Sequence, residues 1–139
     1  MLKVLVPIDG SENCLRAVRY MIAQTALYKE PVEVHLLNVQ HPLPGVVRGV
    51  HGEAEKLHHD EGIKALAGAR KLLDEAALKY AYHIVVGETA ESIARFAKEK
   101  KLDQVVMCTR GMGAVANMLL GSVAQKLLHL AEVPVVLVK

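Results

Sequence analysis

The stretch Leu2-Lys3-Val4-Leu5-Val6-Pro7-Ile8-Asp9-Gly10-Ser11 decides the fold, because it sets a pattern that the rest of the chain repeats. Its largely apolar first part is typical of a buried strand, and Asp9-Gly10-Ser11 is typical of a turn. Helical spacing follows, with Leu15, Val18 and Ile22 on one face and the serine of the turn placed to cap the helix. The chain therefore begins with a strand, a turn and an amphipathic helix.

The same alternation continues along the chain. Further strands are predicted at 32–39, 82–86, 104–108 and 133–138, and further helices at 54–80, 89 to about 100, and 122–131. The prolines and glycines between Gln40 and about Gly52 predict a loop. Alternating strands and helices with nearly continuous apolar strands predict an α/β fold, a parallel sheet with helices on both faces. Right-handed crossovers leave chiefly two doubly wound strand orders, 3-2-1-4-5 and 2-1-3-4-5.

Composition narrows the class of protein. A chain of 139 residues, 52% hydrophobic and 23% charged, is typical of one folded domain, here 1–139, and not of a disordered segment. Seventeen basic residues against 15 acidic ones give a net charge of only +2, so we expect no nucleic-acid partner. No apolar run is long enough for a membrane span and the N-terminus does not resemble a signal peptide. We therefore expect no membrane partner. The two cysteines form no paired framework, so we expect a cytoplasmic protein.

Two strand exits are rich in turn residues: Asp9-Gly10-Ser11 after the first strand and Thr109 to Gly113 after the fourth. In the order 3-2-1-4-5 the winding of the sheet reverses between these strands, and ligands bind at such a point. Gly111 and Gly113 would let the backbone approach a ligand closely. The helix that begins at Ser122 would direct free N–H groups to the same place. Together these features predict a phosphate site.

Three parts of this predicted site have an alternative reading. Gly121-Ser122 is also a good helix start, since Ser122 and Gln125 have the spacing of a capping box. Asp9 is either a turn former or a ligand of a ribose hydroxyl or of a phosphate-bound metal. Arg110 is either solvated or steadies a phosphate.

Other kinds of site have little support in the sequence. Gly111-Met112-Gly113-Ala114-Val115-Ala116 matches a dinucleotide-binding pattern, but the acidic candidate Glu132 precedes the next strand instead of following it, which argues against NAD. No nucleophile and base are paired, so we predict no catalytic residue.

The histidines and Cys14 are expected to have structural roles. His58-His59-Asp60 is predicted to be a solvated face, because neighbouring residues of a helix point in different directions. His35, His83 and His129 lie inside strand or helix patterns and are predicted to be packing residues. Cys14 is predicted to be a small buried side chain.

The chain resembles the universal stress protein family over essentially its whole length. The matching stretches are Val4 to Ser11, Leu37-Asn38-Val39, Val86-Gly87 with Ile93, Asp103 to Gly113, and Leu120-Gly121-Ser122-Val123 through Val135. The resemblance implies a five-stranded parallel sheet of order 3-2-1-4-5, of the adenine nucleotide alpha hydrolase-like type. It also implies the ATP motif G-x-x-G, nine residues, then G-[ST]. Here Gly111, Gly121 and Ser122 match that motif, whereas Cys108 replaces its first glycine.

The resemblance implies a site for ATP or another adenine nucleotide. Asp9 would hold the ribose or, indirectly, a phosphate-bound Mg²⁺, and the backbone of Val39 would meet adenine. Met107 and Cys108 would border the ribose. The full set of expected nucleotide-binding residues is Pro7, Ile8, Asp9, Ser11, Val39, Met107, Cys108, Thr109, Arg110, Gly111, Gly113, Gly121, Ser122 and Val123.

Cys108 decides between two functions, because it places a side chain where the family's backbone lies close to the ligand. Binding survives if φ at Cys108 is negative and the thiol points away. The leading hypothesis is then a cytoplasmic stress-response protein that binds an adenine nucleotide, signals through an unknown partner and at most hydrolyses ATP slowly. The alternative is a dimeric interaction module that binds no nucleotide. A third hypothesis is that the same phosphate site binds AMP or a cyclic nucleotide instead of ATP.

In the order 3-2-1-4-5 the fifth strand lies at an edge of the sheet. Pro134-Val135-Val136-Leu137-Val138 would then expose unpaired backbone and apolar side chains, with Pro134 and Lys139 as the only protection. We predict a homodimer in which two copies of strand 133–138 pair antiparallel, an assembly common in that family. The 40–60 loop is expected to lie over the crevice.

Overall fold

The computed structural model describes residues 1–43, 51–111 and 119–139. Strands and helices alternate as β1 (Leu2–Pro7), α1 (Glu12–Thr25), β2 (Val32–Gln40), α2 (His51–Glu75), β3 (Tyr80–Val86), α3 (Thr89–Glu99), β4 (Gln104–Cys108), α4 (Ser122–Leu130) and β5 (Val135–Val138). The predicted order of elements is therefore confirmed. Within the described ranges, no helix is both long enough and apolar enough to cross a membrane.

The five strands form one sheet of order β3-β2-β1-β4-β5 in which all four neighbouring pairs are parallel. This confirms the order 3-2-1-4-5 and rejects 2-1-3-4-5. β1 is central: Val4 pairs with Val34 of β2 on one side and with Gln104 of β4 on the other. The carboxyl ends of β1, β2 and β4 consequently meet at one edge of the sheet.

The apolar run of β1 is buried on both faces of the sheet. Val4 and Val6 pack into the core beneath α1 and α2, and Leu5 packs into the core beneath α3 and α4. All three side chains are 0% exposed. Because alternate residues of a strand point to opposite faces, a strand between two helical layers needs an unbroken apolar sequence.

The helix α2 differs most from its predicted bounds, since it begins at residue 51 and ends at 75. Its end is set by Ala77, which has a φ of 55°. The N–H of Leu78 donates to the carbonyl of Leu73, and the N–H of Ala77 donates to that of Asp74, both at 3.0 Å. This is the Schellman pattern, in which glycine usually takes the left-handed position. An alanine there gives no sequence signal, and β3 consequently begins two residues before the predicted start at 82.

Two histidines pack together on the face of the sheet that α3 covers. His35 Nδ1 lies 3.1 Å from His83 Nε2, and His35 Nε2 lies 2.5 Å from a carboxylate oxygen of Glu33. The His83 ring also contacts Phe96, with ring centroids 4.7 Å apart, and burial lowers the pKa of His83. The predicted packing role is confirmed for this pair, but it is wrong for His129, which is exposed at the end of α4.

Two glycines of α2 have different surroundings. A Cβ added at the buried Gly62 would lie 2.6 Å from Ile84 Cδ1 of β3, closer than real Cβ atoms come to other heavy atoms. A Cβ added at the exposed Gly68 would lie 3.4 Å from Leu15, an ordinary contact distance. The missing side chain at Gly62 therefore lets α2 approach β3.

We predict that Gly62→Ala lowers the free energy of unfolding by about 1 kcal/mol or more, because the β-branched Ile84 must leave its preferred rotamer. Gly68→Ala is the matched control in the same helix. It is expected to raise the free energy of unfolding by up to about 1 kcal/mol, since alanine favours a helix interior over glycine. Urea unfolding monitored by circular dichroism measures both. Equal stability of the two variants would contradict the close packing at Gly62.

Candidate functional site

A cavity of about 520 Å³ opens at the carboxyl ends of β1, β2 and β4, the edge where the winding of the sheet reverses. Its walls come from three strand ends and from α1, α3 and α4. The lining residues are Pro7, Ile8, Asp9, Cys14, Leu37, Asn38, Val39, Gln40, His41, Thr89, Ile93, Met107, Cys108, Thr109, Arg110, Gly111, Gly121, Ser122, Val123 and Ala124. The two strand exits singled out by the sequence thus open on the same cavity.

All but two of the predicted nucleotide-binding residues line this cavity. Ser11 is the first exception: it lies behind Asp9 and hydrogen-bonds to its carboxylate. Gly113 is the second, because it falls outside the described residues. The loop predicted between 40 and 52 is also only partly described, and the residues at its far end already belong to α2.

The turn after β1 holds Asp9 in a fixed position. The backbone N–H and the hydroxyl of Ser11 both donate to Asp9 Oδ1, at 2.9 and 2.6 Å. Gly10 has a φ of 89°, a conformation that glycine adopts without strain. Ser11 also caps α1, as predicted, because its hydroxyl accepts from the N–H of Cys14 at 3.3 Å. The helix cap and the orientation of Asp9 therefore depend on one serine.

The glycines of the predicted motif leave room that a side chain would fill. A Cβ added at Gly111 would collide with Oδ2 of Asp9. A Cβ added at Gly121 would lie 3.3 Å from the carbonyl oxygen of Thr109, which accepts a 2.6 Å hydrogen bond from the Gly121 N–H. This hydrogen bond joins the start of α4 to the exit of β4. Backbone atoms at both glycines consequently form part of the cavity wall.

The first turn of α4 presents unpaired backbone donors to the cavity. Gly121 is the N-cap and has no side chain to satisfy the N–H groups of residues 122–124, which lack partners within the helix. The predicted capping box is wrong: Ser122 is already helical, and Gln125 Nε2 donates to the carbonyl of Leu120 at 3.3 Å. Free N–H groups and the positive end of the helix dipole together form a site for an anion.

Cys108 fits at the first position of the motif without backbone strain. Ala77 and Lys101 are the non-glycine residues with positive φ in the described part of the chain, so Cys108 is outside that region. Its thiol donates to the carbonyl of Arg110 at 2.9 Å, and only 8% of the residue is exposed. Burial, followed by the nearby Asp9 carboxylate, raises the pKa of Cys108 to about 11. Cys108 is therefore a neutral thiol that lines the cavity and bonds to the loop after β4.

Some lining residues were not among those predicted for the site. They are Cys14, Leu37, Asn38, Gln40, His41, Thr89, Ile93 and Ala124. Cys14 is 1% exposed, which confirms its predicted burial. The residues at the end of β2 become candidates once the strand order is known, because β2 ends at the same edge as β1. Thr89 and Ile93 come from α3, whose approach to the cavity has no local sequence signal.

The end of β2 is tied to the exit of β1 by a buried amide. Asn38 is 2% exposed, and its Nδ2 donates to the carbonyl oxygen of Ile8 at 2.8 Å. Its Oδ1 accepts a 2.6 Å hydrogen bond from Nε2 of Gln40. The backbone of Gln40 is fixed as well, since its carbonyl accepts from the N–H of Gly87 at 2.9 Å. This end of the cavity therefore has a defined arrangement of donors and acceptors.

The described residues do not gather three or more His, Cys, Asp or Glu side chains at one point where a metal ion could bind. His59 and Asp60 are exposed on α2, as predicted for a solvated face. His58 Nε2 instead contacts the backbone carbonyl of His41 at 3.0 Å. Any metal at the cavity would consequently need ligands from a bound molecule as well as from Asp9.

The sequence pattern of the universal stress protein family matches residues 1–139. Universal stress protein MJ0531 of Methanocaldococcus jannaschii is 34% identical to this chain, over 99% of it and 81% of the relative.

Solved structures share the fold. Protein MJ0577 of Methanocaldococcus jannaschii superposes with a TM-score of 0.82 at 28% identity, over 99% of this chain and 94% of that one. A universal stress protein in complex with cAMP superposes with a TM-score of 0.72 at 25% identity, over 99% of this chain and 97% of that one. The family pattern spans residues 1–139, and the strand order agrees with that of its members. This chain therefore belongs to the universal stress protein family.

Proposed function

We propose that this protein binds an adenine nucleotide, with ATP as the first candidate, and acts in a stress response through an unidentified partner protein. The observation that carries the proposal is the convergence of Asp9, Gly111 and the N–H groups of residues 122–124 on one cavity. The N–H groups would bind phosphate oxygens, and the half-buried Arg110 adds a positive charge at the same end. The relative in complex with cAMP supports an adenine nucleotide as the ligand.

The residues at the phosphate end fit such a ligand. Because Gly111 has no Cβ, the Asp9 carboxylate fits against the backbone there. The start of α4 supplies N–H donors that no capping side chain satisfies. An unshielded Asp9 carboxylate would repel phosphate. Asp9 therefore binds either a ribose hydroxyl or a Mg²⁺ ion held by the phosphates, and both roles use the carboxylate in the position that Ser11 fixes.

The cavity favours binding over rapid hydrolysis. Among the described lining residues Asp9 is the one carboxylate, and the proposed site assigns it to a ribose hydroxyl or to a phosphate-bound Mg²⁺ and not to an attacking water. Rapid hydrolysis needs a general base within hydrogen-bond reach of the attacking water. We infer at most slow ATP hydrolysis.

The state of the cysteines favours a reducing compartment. Cys14 and Cys108 are both free and buried. Disulfides are rare in the cytoplasm, where thiols are kept reduced. We therefore propose a cytoplasmic location.

Calorimetry with ATP and Mg²⁺, on protein stripped of any carried-over ligand, is predicted to show binding. Gly111→Ala is expected to weaken it by at least about tenfold, or about 1.4 kcal/mol, because the methyl group displaces the Asp9 carboxylate. Gly52→Ala is the matched control and should bind like the wild type, since a Cβ there meets no atom within 4 Å. Repeating the titration with EDTA separates the two roles of Asp9, because only the metal role loses affinity.

The outcomes separate the alternatives. No heat and no thermal shift with the wild-type protein would contradict nucleotide binding and favour the dimeric interaction module. If Gly111→Ala binds ATP as tightly as the wild type does, the proposed role of Gly111 in the nucleotide site is contradicted.

We also propose a homodimer formed by antiparallel pairing of strand 133–138. β5 lies at the edge of the sheet, paired with β4 on one side. The carbonyls of Pro134 and Val138 accept hydrogen bonds from the β4 side. Because successive residues of a strand alternate in direction, Val135 and Leu137 turn their N–H and C=O groups to the outer edge. Such an edge is a template for pairing with a second chain.

Light scattering at micromolar concentration is predicted to give twice the mass of one chain. Val135→Pro is expected to shift the protein to a monomer, because proline removes an outward N–H and leaves the N–H groups that face β4 in place. Lys139→Ala is the control, because it keeps the backbone donors of the strand and should stay dimeric. A monomeric wild-type protein would contradict the proposed assembly.

A further inference from the structure

Three titratable side chains that do not line the cavity form one hydrogen-bonded cluster between the sheet and α3. His35 Nε2 lies 2.5 Å from a carboxylate oxygen of Glu33, and His35 Nδ1 lies 3.1 Å from His83 Nε2. The His35 side chain is only 13% exposed. Phe96 of α3 packs against the His83 ring, with ring centroids 4.7 Å apart. The cluster is therefore half-buried at the contact between α3 and the sheet.

This cluster has room for one added proton and not for two. The carboxylate of Glu33 only accepts, so His35 Nε2 carries a hydrogen. Between His35 Nδ1 and His83 Nε2, one nitrogen must donate and the other accept, a condition that is met with both rings neutral or with one ring charged. If both rings are charged, each of the two facing nitrogens carries a hydrogen, and two donors meet across 3.1 Å. The second proton therefore breaks the contact between the two histidines.

Positive charges around His83 also disfavour a second proton. Burial lowers the pKa of His83, and the nearby His35 and Lys100 lower it further. Lys100 is the C-cap of α3 and therefore belongs to the helix that covers the cluster. On β1, Lys3 is the register partner of Glu33 and adds a charge beside it. Two lysines from neighbouring elements consequently oppose the doubly charged state.

The negative charge at the cluster balances a single proton. Among the residues that the structure describes, Glu33 is the one carboxylate that hydrogen-bonds to either histidine. Asp103 instead accepts a 2.7 Å hydrogen bond from a backbone N–H of β1. Glu88 and Glu91, at the start of α3, are paired with Lys126 of α4. The charge of a second proton is therefore left uncompensated.

The helix α3 joins this cluster to the cavity. Phe96 contacts His83, and Thr89 and Ile93, earlier in the same helix, line the cavity. Ile93 and Phe96 are three residues apart on one face of the helix, and both are buried. Because a helix transmits displacements as a rigid element, loss of the Phe96 contact also moves the cavity wall.

We propose that acid loosens α3 from the sheet through the cluster of Glu33, His35 and His83, and thereby weakens nucleotide binding at the cavity. The folded protein takes up a proton at His83 less readily than the unfolded chain, because the pKa of His83 is lowered from its ordinary value of 6.5. The stability is therefore fully present above this pH and is lost as the pH falls toward the pKa of the folded state. The effect on binding rests on the proposed nucleotide function, whereas the loosening of α3 needs no nucleotide.

The ring of Phe96 reports on this contact, because it is the single phenylalanine of the chain. NMR of phenylalanine-labelled protein without nucleotide, from about pH 7.5 to about pH 5, should show the Phe96 ring signals shifting or broadening as histidine titrates. His83→Gln keeps an N–H donor but does not titrate, so its signals should stay in place. His59→Gln makes the same change at an exposed histidine of α2 and is the matched control, expected to behave like the wild type.

Urea unfolding at the two pH values measures the stability. Acidification should raise the unfolding equilibrium constant of the wild type about tenfold more than that of His83→Gln, since a difference of one bound proton changes this constant up to about tenfold per pH unit. Glu33→Gln removes the charge that balances the first proton, so it should lose more stability in acid than the wild type. If His83→Gln does not fold, the comparison of Glu33→Gln with the wild type decides. Unchanged Phe96 signals in the wild type, or equal acid losses of stability in the proteins compared, would overturn the proposal.

Calorimetry with ATP and Mg²⁺ at both pH values tests the link to the cavity. Acidification is expected to weaken binding at least about threefold more in the wild type than in His83→Gln, because a smaller fraction of the protein keeps the binding-competent wall. The protonation of ATP itself affects both proteins alike and cancels in this comparison. Equal losses of affinity would refute the link to the cavity. A wild type that binds no ATP at either pH would instead refute the proposed function, while the nucleotide-free measurements would still decide whether acid loosens α3.

Discussion

The structure depends on the parallel pairing of β1 with β2 on one side and β4 on the other. Because β1 is central, its side chains must fill both helical layers, and Val4, Leu5 and Val6 are completely buried. The same pairing makes the winding of the sheet reverse between β1 and β4, so that their exits diverge and open the cavity. Core and cavity are thus two consequences of one strand arrangement.

The cavity obtains its chemistry largely from backbone atoms. Gly111 and Gly121 keep side chains away from Asp9 and from the carbonyl of Thr109, and α4 begins with unpaired N–H groups. A site formed by backbone atoms tolerates changes in the surrounding side chains as long as the backbone conformation is kept. Cys108 illustrates this: it replaces a glycine of the family motif, yet it needs no positive φ and its thiol bonds to the adjacent loop.

Much of the fold follows from the sequence because burial on two faces imposes a simple pattern. The apolar run of β1, the capping serine Ser11 and the turn at Gly10 all have their predicted roles. The end of α2 does not follow, since the left-handed residue is Ala77 and tertiary packing overrides its local preference.

The candidate site was predictable where it depends on residues next to the two strand exits. It was not predictable at Asn38 and Gln40, because their position at the cavity depends on β2 lying beside β1. Periodicity alone leaves two strand orders open. The amide orientation at Gln40 also depends on the Ile8 carbonyl, a contact between strands that no spacing along the chain reveals.

The proposed nucleotide binding depends most on the N–H groups of residues 122–124, which would bind the phosphates of the ligand. Amide chemical shifts measured by NMR, with ATP and Mg²⁺ in one titration and adenosine in another, test it most directly. ATP should move the amide signals of Ser122, Val123 and Ala124, whereas adenosine, which lacks phosphate, should leave them in place. Unchanged signals at these three residues in saturating ATP, or equal shifts with adenosine, would contradict the claim.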